Sequence, residues 1–294
     1  MASRVLFPRL HLVEVEDQSW CPSWLREHSH KALARTWKAS TSKKGSPASQ
    51  AAKILIDQLG GLRKTAEYTI IDSCAGAGGP TPIIEPRMNQ QLRAAGLNSV
   101  RFVLTDLWPD LKAWKEIACK SENISYIEEP IDATNAVRLS GPEHKECRVY
   151  NLCFHHFDDA AAEKVLLSAV ETSDAFVIFE LTHRTLSALL NTTFIILSPF
   201  ITTLYDWWWS PMHLIFTYVI PLIPLFYAID GYVSCARCRT PDETWSLLTR
   251  SSGLHVNEWQ RKYGWELRAG EQVVLPPFGT LYWYAGVKKE KEAH

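Results

Sequence analysis

This 294-residue chain lacks several things, and each absence narrows its role. It has no surplus of positive charge: 31 Lys and Arg stand against 32 Asp and Glu, for a net charge of −1. Phosphate backbones are gripped by a basic excess, so nucleic acid is not expected as the main partner. No disulfide framework is visible. Seven cysteines, an odd number scattered over a long chain, indicate reduced thiols and an intracellular compartment. No secretory leader is visible either, because Arg4, Arg9 and Glu14 interrupt a short apolar start, so the protein is expected not to be secreted. There is no internal repeat and no heptad pattern. Hydrophobic residues at 46% and charged residues at 21% exclude global disorder. The length suits one large domain or two small ones.

Charge is missing locally as well. From Thr185 to Ile229 the only formal charge is Asp206. Leu186–Tyr205 is a run of 20 uncharged residues, and Met212–Ile229 is a run of 18 whose only titratable group is His213. Each is close to the ~20 residues that cross a hydrocarbon core. Between them lie Trp207, Trp208 and Trp209, a triplet suited to a membrane–water interface. Arg184 flanks one end, with Arg237 and Arg239 beyond the other, which would place both ends on the cytoplasmic side. Pro199, Pro221 and Pro224 would kink the helices. The expectation is an apolar helical hairpin over 186–230. It attaches the protein to a membrane through 186–229, spanning or lying in the interface, or else it is a lid buried over a site. Residues 26–64 carry nine Lys and Arg against two Asp and Glu. That surplus is either a solvated face or an attraction to anionic lipid.

Elsewhere the pattern is regular. Residues 1–50 read as a helical extension, with a helix over Trp24–Lys38, and a polar linker from Ala39 to Gln50. Across 51–185, short β-branched runs alternate with helical stretches. Strands are predicted at Tyr68–Ile71, Val100–Leu104, Ile124–Ile127, Arg148–Phe154 and Ala175–Phe179, and helices at 51–60, up to Ala95 and over Ala160–Val170. Such alternation predicts βαβ units and a parallel sheet. Residues 231–294 resume with a helix near Pro241–Thr249, a strand around Asn257–Lys262 and a strand over Thr280–Val287.

The segment Ile70-Ile71-Asp72-Ser73-Cys74-Ala75-Gly76-Ala77-Gly78-Gly79-Pro80 carries the most information. A buried strand ends in an acid and runs into small residues that open a helix. Backbone amides there can approach a ligand closely, and the helix terminus favours an anionic group. No Gly-Lys-Ser/Thr follows, so it is not a phosphate-binding P-loop, and the dinucleotide spacing G-x-G-x-x-G does not fit. Asp72, Asp106, Asp132, the pair His155 and His156, and Glu180 all fall at predicted strand ends, where open parallel sheets bind ligands. Asp132 has a second reading as a helix N-cap beside Thr134.

This order of elements resembles the class I S-adenosylmethionine-dependent methyltransferases. Asp72, Gly76 and Gly78 match their first motif, with Cys74 in place of its first glycine. Asp106 is similar to the ribose-binding acid, Asp132 to the acid near the adenine, and Asn151 through Phe157 to the motif after the fourth strand. The resemblance implies a Rossmann-like α/β methyltransferase sheet carrying an N-terminal helical extension and an apolar insertion. It implies S-adenosylmethionine as cofactor, bound by Asp72, Cys74, Gly76, Gly78, Asp106, Asp132 and Asn151. It also implies methyl transfer to a lipophilic small molecule, such as a terpenoid, polyketide or lipid-like metabolite.

An oxygen nucleophile needs a base, and a histidine is suited to that role. His155 and His156 are the first candidates with Glu180, and His183 is held in reserve. Cys235 and Cys238 form a C-x-x-C without a second pair of metal-binding spacing, so no metal ligand is expected. Two other classes remain open: a membrane-anchored binding protein without turnover, favoured by Cys74, and a nicotinamide-dependent oxidoreductase.

Overall fold

A computed structural model describes residues 4–40, 45–141 and 143–290. Seven strands form one sheet: β1 (Tyr68–Ser73), β2 (Phe102–Thr105), β3 (Ile124–Tyr126), β4 (Lys145–Asn151), β5 (Ala175–Glu180), β6 (Trp265–Leu275) and β7 (Gly279–Lys288). Their order is β3-β2-β1-β4-β5-β7-β6. The first five run parallel, and β7 lies antiparallel between β5 and β6. This is the expected Rossmann-like α/β arrangement. The order reverses between β1 and β4, and the crevice at that switch is where such sheets take ligands.

Among the described residues twelve α-helices accompany the sheet: α1 (Ser23–Lys38), α2 (Pro47–Gln58), α3 (Leu62–Thr65), α4 (Thr81–Ala94), α5 (Leu111–Ala118), α6 (Asp159–Thr172), α7 (Leu186–Leu197), α8 (Pro199–Asp206), α9 (Pro211–Leu214), α10 (Leu222–Arg237), α11 (Pro241–Arg250) and α12 (Val256–Tyr263). Side chains on a strand alternate between faces. Ala175, Val177 and Phe179 of β5 accordingly join one core with Leu55, Met88 and Trp114. Phe176 and Ile178 join the opposite core with Val165, Leu166 and Leu248. Both faces are covered, which explains why β5 reads as a continuous apolar run rather than an alternating one.

Two expectations need correction. The strand expected around Asn257–Lys262 is the helix α12. His255 and Glu258 cap its first turn reciprocally, Trp259 is buried on one face, and the helix stops at Gly264. The strand lies just beyond, as the 11-residue β6. The apolar stretch is also broken into more pieces than the two kinked helices expected: α7, α8, α9, a π-helical turn over Ile215–Val219 and α10. Among the described residues no single helix is long and apolar enough to cross a membrane. Two bent pairs pass by length and composition together: α7 with α8, bent by 43°, and Pro211–Val219 with α10, bent by 71°. Pro199 and Pro221 stand at the breaks, as a residue without an amide hydrogen would dictate. Helix α10 runs on to Arg237, past the expected boundary at 230.

This helical unit packs on α1 through Cys21, Leu25, Ile223, Phe226 and Tyr227. His28 Nδ1 lies 2.7 Å from the Tyr227 hydroxyl, and its ring stacks on those of Trp207 and His213. The segment before α1 crosses the carboxyl edge of the sheet as a strap. Leu6 N–H donates to Arg184 O, Leu10 N–H to Ala236 O, and the Val15 and Glu16 amides to the Asp230 carboxylate. Residues 41–44 of the expected linker, with Lys43 and Lys44 of the basic surplus, lie outside the described residues.

Candidate active site

The turn after β1 is built tightly. Cys74 adopts a left-handed backbone, φ 62°, at the position where a glycine was expected. Gly76 N–H donates to Asp106 Oδ2 at 2.8 Å, and Gly76 O accepts from Trp114 Nε1 at 2.8 Å. The β2 acid thus ties down the β1 turn, while its Oδ1 accepts from Trp108 N–H. Gly76 and Gly79 have nothing within 4 Å of where a Cβ would stand. Both glycines thus face open space beside the turn.

Asp72 sits beneath the turn, fully buried. Its carboxyl accepts from the Thr81 hydroxyl at the start of α4 and from Asn151 Nδ2 at 3.0 Å. Burial pushes the acid up to about 7, against the pull of those two hydrogen bonds. Asn151 Oδ1 is buried without a partner. Asp132 caps the short turn Ala133–Asn135 through Thr134 N–H and hydroxyl, both at 2.8 Å, so its N-cap role is realised. It is exposed and joined to the rest of the edge through Ile131 N–H, which donates to Asp106 O.

The second half of the site follows β4 and β5. Phe154–His156 form a single helical turn. Glu180, at the end of β5, accepts both the His155 amide at 3.1 Å and His155 Nδ1–H at 2.8 Å. Its other ring nitrogen, Nε2, lies 3.9 Å from Glu14 Oε1. His156 is held differently. Its Nδ1 lies 2.8 Å from Asp17 and 3.5 Å from Glu14. Burial opposes a charge on this ring, but the hydrogen bond to Asp17 and the two carboxylates outweigh it and push His156 up to about 9. His156 therefore carries its proton at neutral pH.

His183 is occupied on both ring nitrogens. Nδ1 accepts from Arg184 N–H at 2.9 Å, and Nε2 donates to Arg239 O at 3.1 Å. Burial, then the Arg184 charge, holds it below its ordinary value. It is a neutral structural histidine, not a reserve base.

Three functional neighbours were not visible in the sequence: Glu14 and Asp17 from the strap, and Arg237 from α10. Arg237 Nη1 reaches Glu14 at 3.1 Å and Asp17 at 2.7 Å. Arg237 lies 220 positions from Asp17 in sequence and further from Glu14, and only the folded strap brings it to them. Metal-type donors also converge: Glu14, His155 and His156, and separately His155, Glu180 and Cys238, have ligand atoms within 4.8 Å. In the first set the Arg237 guanidinium also lies 3.1 Å from Glu14 Oε1. Cys238 was discounted for want of a second cysteine pair, yet it lies beside the His155–Glu180 pair. Its thiol and that of Cys235 each sit against a threonine hydroxyl, Thr182 and Thr192.

Above His155 a cavity of about 550 Å³ opens between the strap, α1, α7 and α10. Leu152, Leu181, Phe194, Ile195, Phe226 and Leu275 give it apolar walls, and His155, His156 and Glu14 supply polar groups.

No protein-family model and no curated protein matches the chain. Among solved structures, the chain is similar to an O-methyltransferase family protein from Burkholderia thailandensis, at 15% identity over 91% of this chain and a TM-score of 0.45. It spans 60% of that protein's length. A magnesium protoporphyrin IX methyltransferase from Synechocystis, solved with bound S-adenosylmethionine, matches at 8% identity over 95% of this chain and all of the other, with a TM-score of 0.47. A structure from Rhodobacter sphaeroides described as a putative zinc-dependent alcohol dehydrogenase matches at 11% identity over 95% of this chain and all of the other, with a TM-score of 0.45. Similarities this slight say nothing of ligand or activity. The sheet order and the residues at its carboxyl edge carry the functional reading.

Proposed function

We propose that this chain transfers a methyl group from S-adenosylmethionine to a hydroxyl oxygen of a lipophilic small molecule. The observation that carries the reading is the placement of His155. It is oriented by Glu180 at the floor of an apolar cavity, and it directly follows the strand whose Asn151 touches the buried acid of the glycine turn. The residues fit an adenosyl group: the open cradle at Gly76 and Gly79, an Asp106 carboxylate with acceptor capacity to spare, and the unpartnered Asn151 Oδ1. When bound, S-adenosylmethionine supplies an electrophilic methyl group. The chain's own task is alignment, exclusion of water and removal of a proton. The apolar walls hold a greasy acceptor with its hydroxyl toward His155. Nε2 takes the hydroxyl proton, and Glu180 stabilises the imidazolium that forms.

Calorimetric titration with S-adenosylmethionine, followed by transfer of labelled methyl into lipophilic hydroxy compounds, tests this. His155→Asn is expected to lower turnover by ~10²–10⁴-fold with cofactor affinity unchanged. Undiminished turnover in that variant would remove His155 as base. Tight cofactor binding with no turnover on any acceptor would favour a binding protein instead.

A further inference from the structure

We propose that the outer face of the helical unit α7–α10, with the adjoining face of α1, docks the protein on an anionic lipid surface without crossing it. Among the described residues, 30 large apolar side chains are exposed, and 19 of them lie between Leu186 and Tyr232. A concentration of that kind on one unit marks an interaction surface, because single exposed apolar residues elsewhere need no explanation. The bends of 43° and 71° break both apolar pairs, and a broken apolar face suits the level of the headgroups and upper acyl chains better than a straight span.

The rim of this face identifies the occupant. Trp208 and Trp209 are exposed at 68% and 62%, beside the buried Trp207. Lys31 Nζ lies 4.4 Å over the Trp207 ring, and Lys31 and Arg35 both pair with Asp206, the only acid of the apolar stretch. Glu27 stands one turn before Lys31 on α1, so with Lys38 three cations face two acids and a small positive surplus remains. Lys38 stands on the same exposed side of α1, at the i, i+4, i+7 spacing of one helical face. Tryptophan beside lysine and arginine at an apolar edge matches a phosphate-bearing headgroup layer. A two-fold dimer on this face presents the same patch from both copies, which sets the basic stripe near its own image.

The cavity runs between the same helices. Its far end is lined by Ala32 and Arg35 of α1 and by Ser198 and Thr202 beside the bend of α7 and α8. Resting on the proposed function, the lipid side is then where the acceptor enters. The docking itself stands without turnover.

The test is flotation of the full chain with vesicles of phosphatidylcholine alone and of phosphatidylcholine mixed with phosphatidylserine. The wild type is expected to float with both, more completely with phosphatidylserine, and to stay bound at high salt, which screens charge but not apolar burial. The double substitution Leu204→Glu and Trp208→Glu alters two exposed side chains and is expected to lower the bound fraction ~10-fold or more, with an unchanged melting temperature. Quenching of wild-type tryptophan fluorescence by brominated phosphatidylcholine checks insertion without any variant. A wild type that neither floats nor is quenched overturns the proposal. So does a soluble dimer that the double substitution turns into a monomer, since a second copy then covers the face.

Discussion

Both carboxylate oxygens of Asp106 are engaged before any ligand arrives, one by the Gly76 amide and one by the Trp108 amide. A carboxylate has about four lone-pair sites, so two remain for a ribose diol. Asp106→Ala would remove that pair of contacts and free the turn it holds. A charge-assisted hydrogen bond contributes ~1.5–3 kcal/mol, so affinity for S-adenosylmethionine should fall about ten- to a hundredfold, as read by calorimetry. An unchanged dissociation constant would take Asp106 out of the cofactor site. Asp132 gives one oxygen, Oδ1, to both Thr134 contacts, and that capping is enough to explain an acid there.

The glycine turn works as an element because its glycines do different jobs. A Cβ on Gly78 would fall 2.3 Å from Ile117 Cδ1 of α5, at φ +99°. A Cβ on Gly76, at φ +51°, would meet nothing within 4 Å. Left-handed backbone costs a side chain ~1–2 kcal/mol at either position, and at Gly78 the Ile117 methyl must also swing aside. Urea unfolding should therefore show Gly78→Ala less stable than Gly76→Ala by up to ~1 kcal/mol. Equal costs would mean that the Ile117 side chain gives way freely. The parallel strands were legible because each is a short apolar run ending in a polar residue. So were Asp72, Asp106, His155 and Glu180, which sit at those ends. Illegible were the features set by distant contacts. In α12 the periodicity of eight residues was too short to outvote a strand reading, although the His255–Glu258 cap and Gly264 were there to be weighed. The apolar stretch shows its hydropathy in sequence, and its prolines mark the bends, but not their angles of 43° and 71°.

At the scale of the molecule, the strap of residues 6–17 couples the amino-terminal extension to the site, and it does so by charge. Arg9 reaches Asp159 and the carbonyls of Phe157 and Arg237, while Arg237 reaches Leu12 O, Glu14 and Asp17. His156 belongs to this stitching, and its proton gives the strap a pH dependence. Its folded value, about 9, lies above the ordinary imidazole value of 6.5. The folded state therefore binds a proton that the unfolded chain has released between those values. The stabilisation is complete below pH ~6.5 and is lost as pH rises through ~9. Asp72 and Asp230, pushed by burial up to about 7 and about 6, finish titrating at lower pH. The window from pH ~7.5 to ~9.5 thus isolates His156 from them. One third of the His156 side chain is exposed, so solvent reduces the full linkage value to about 1–2 kcal/mol. Asp17→Asn should lower the stability at pH ~7.5 and flatten its fall toward pH ~9.5, because the ring then loses the hydrogen bond that holds its proton. Buried thiols titrate similarly in both proteins, so the difference between the two curves, measured by urea unfolding, reports the strap. Parallel curves would mean that Asp17 does not hold the His156 proton and that the strap is fastened by its backbone bonds alone.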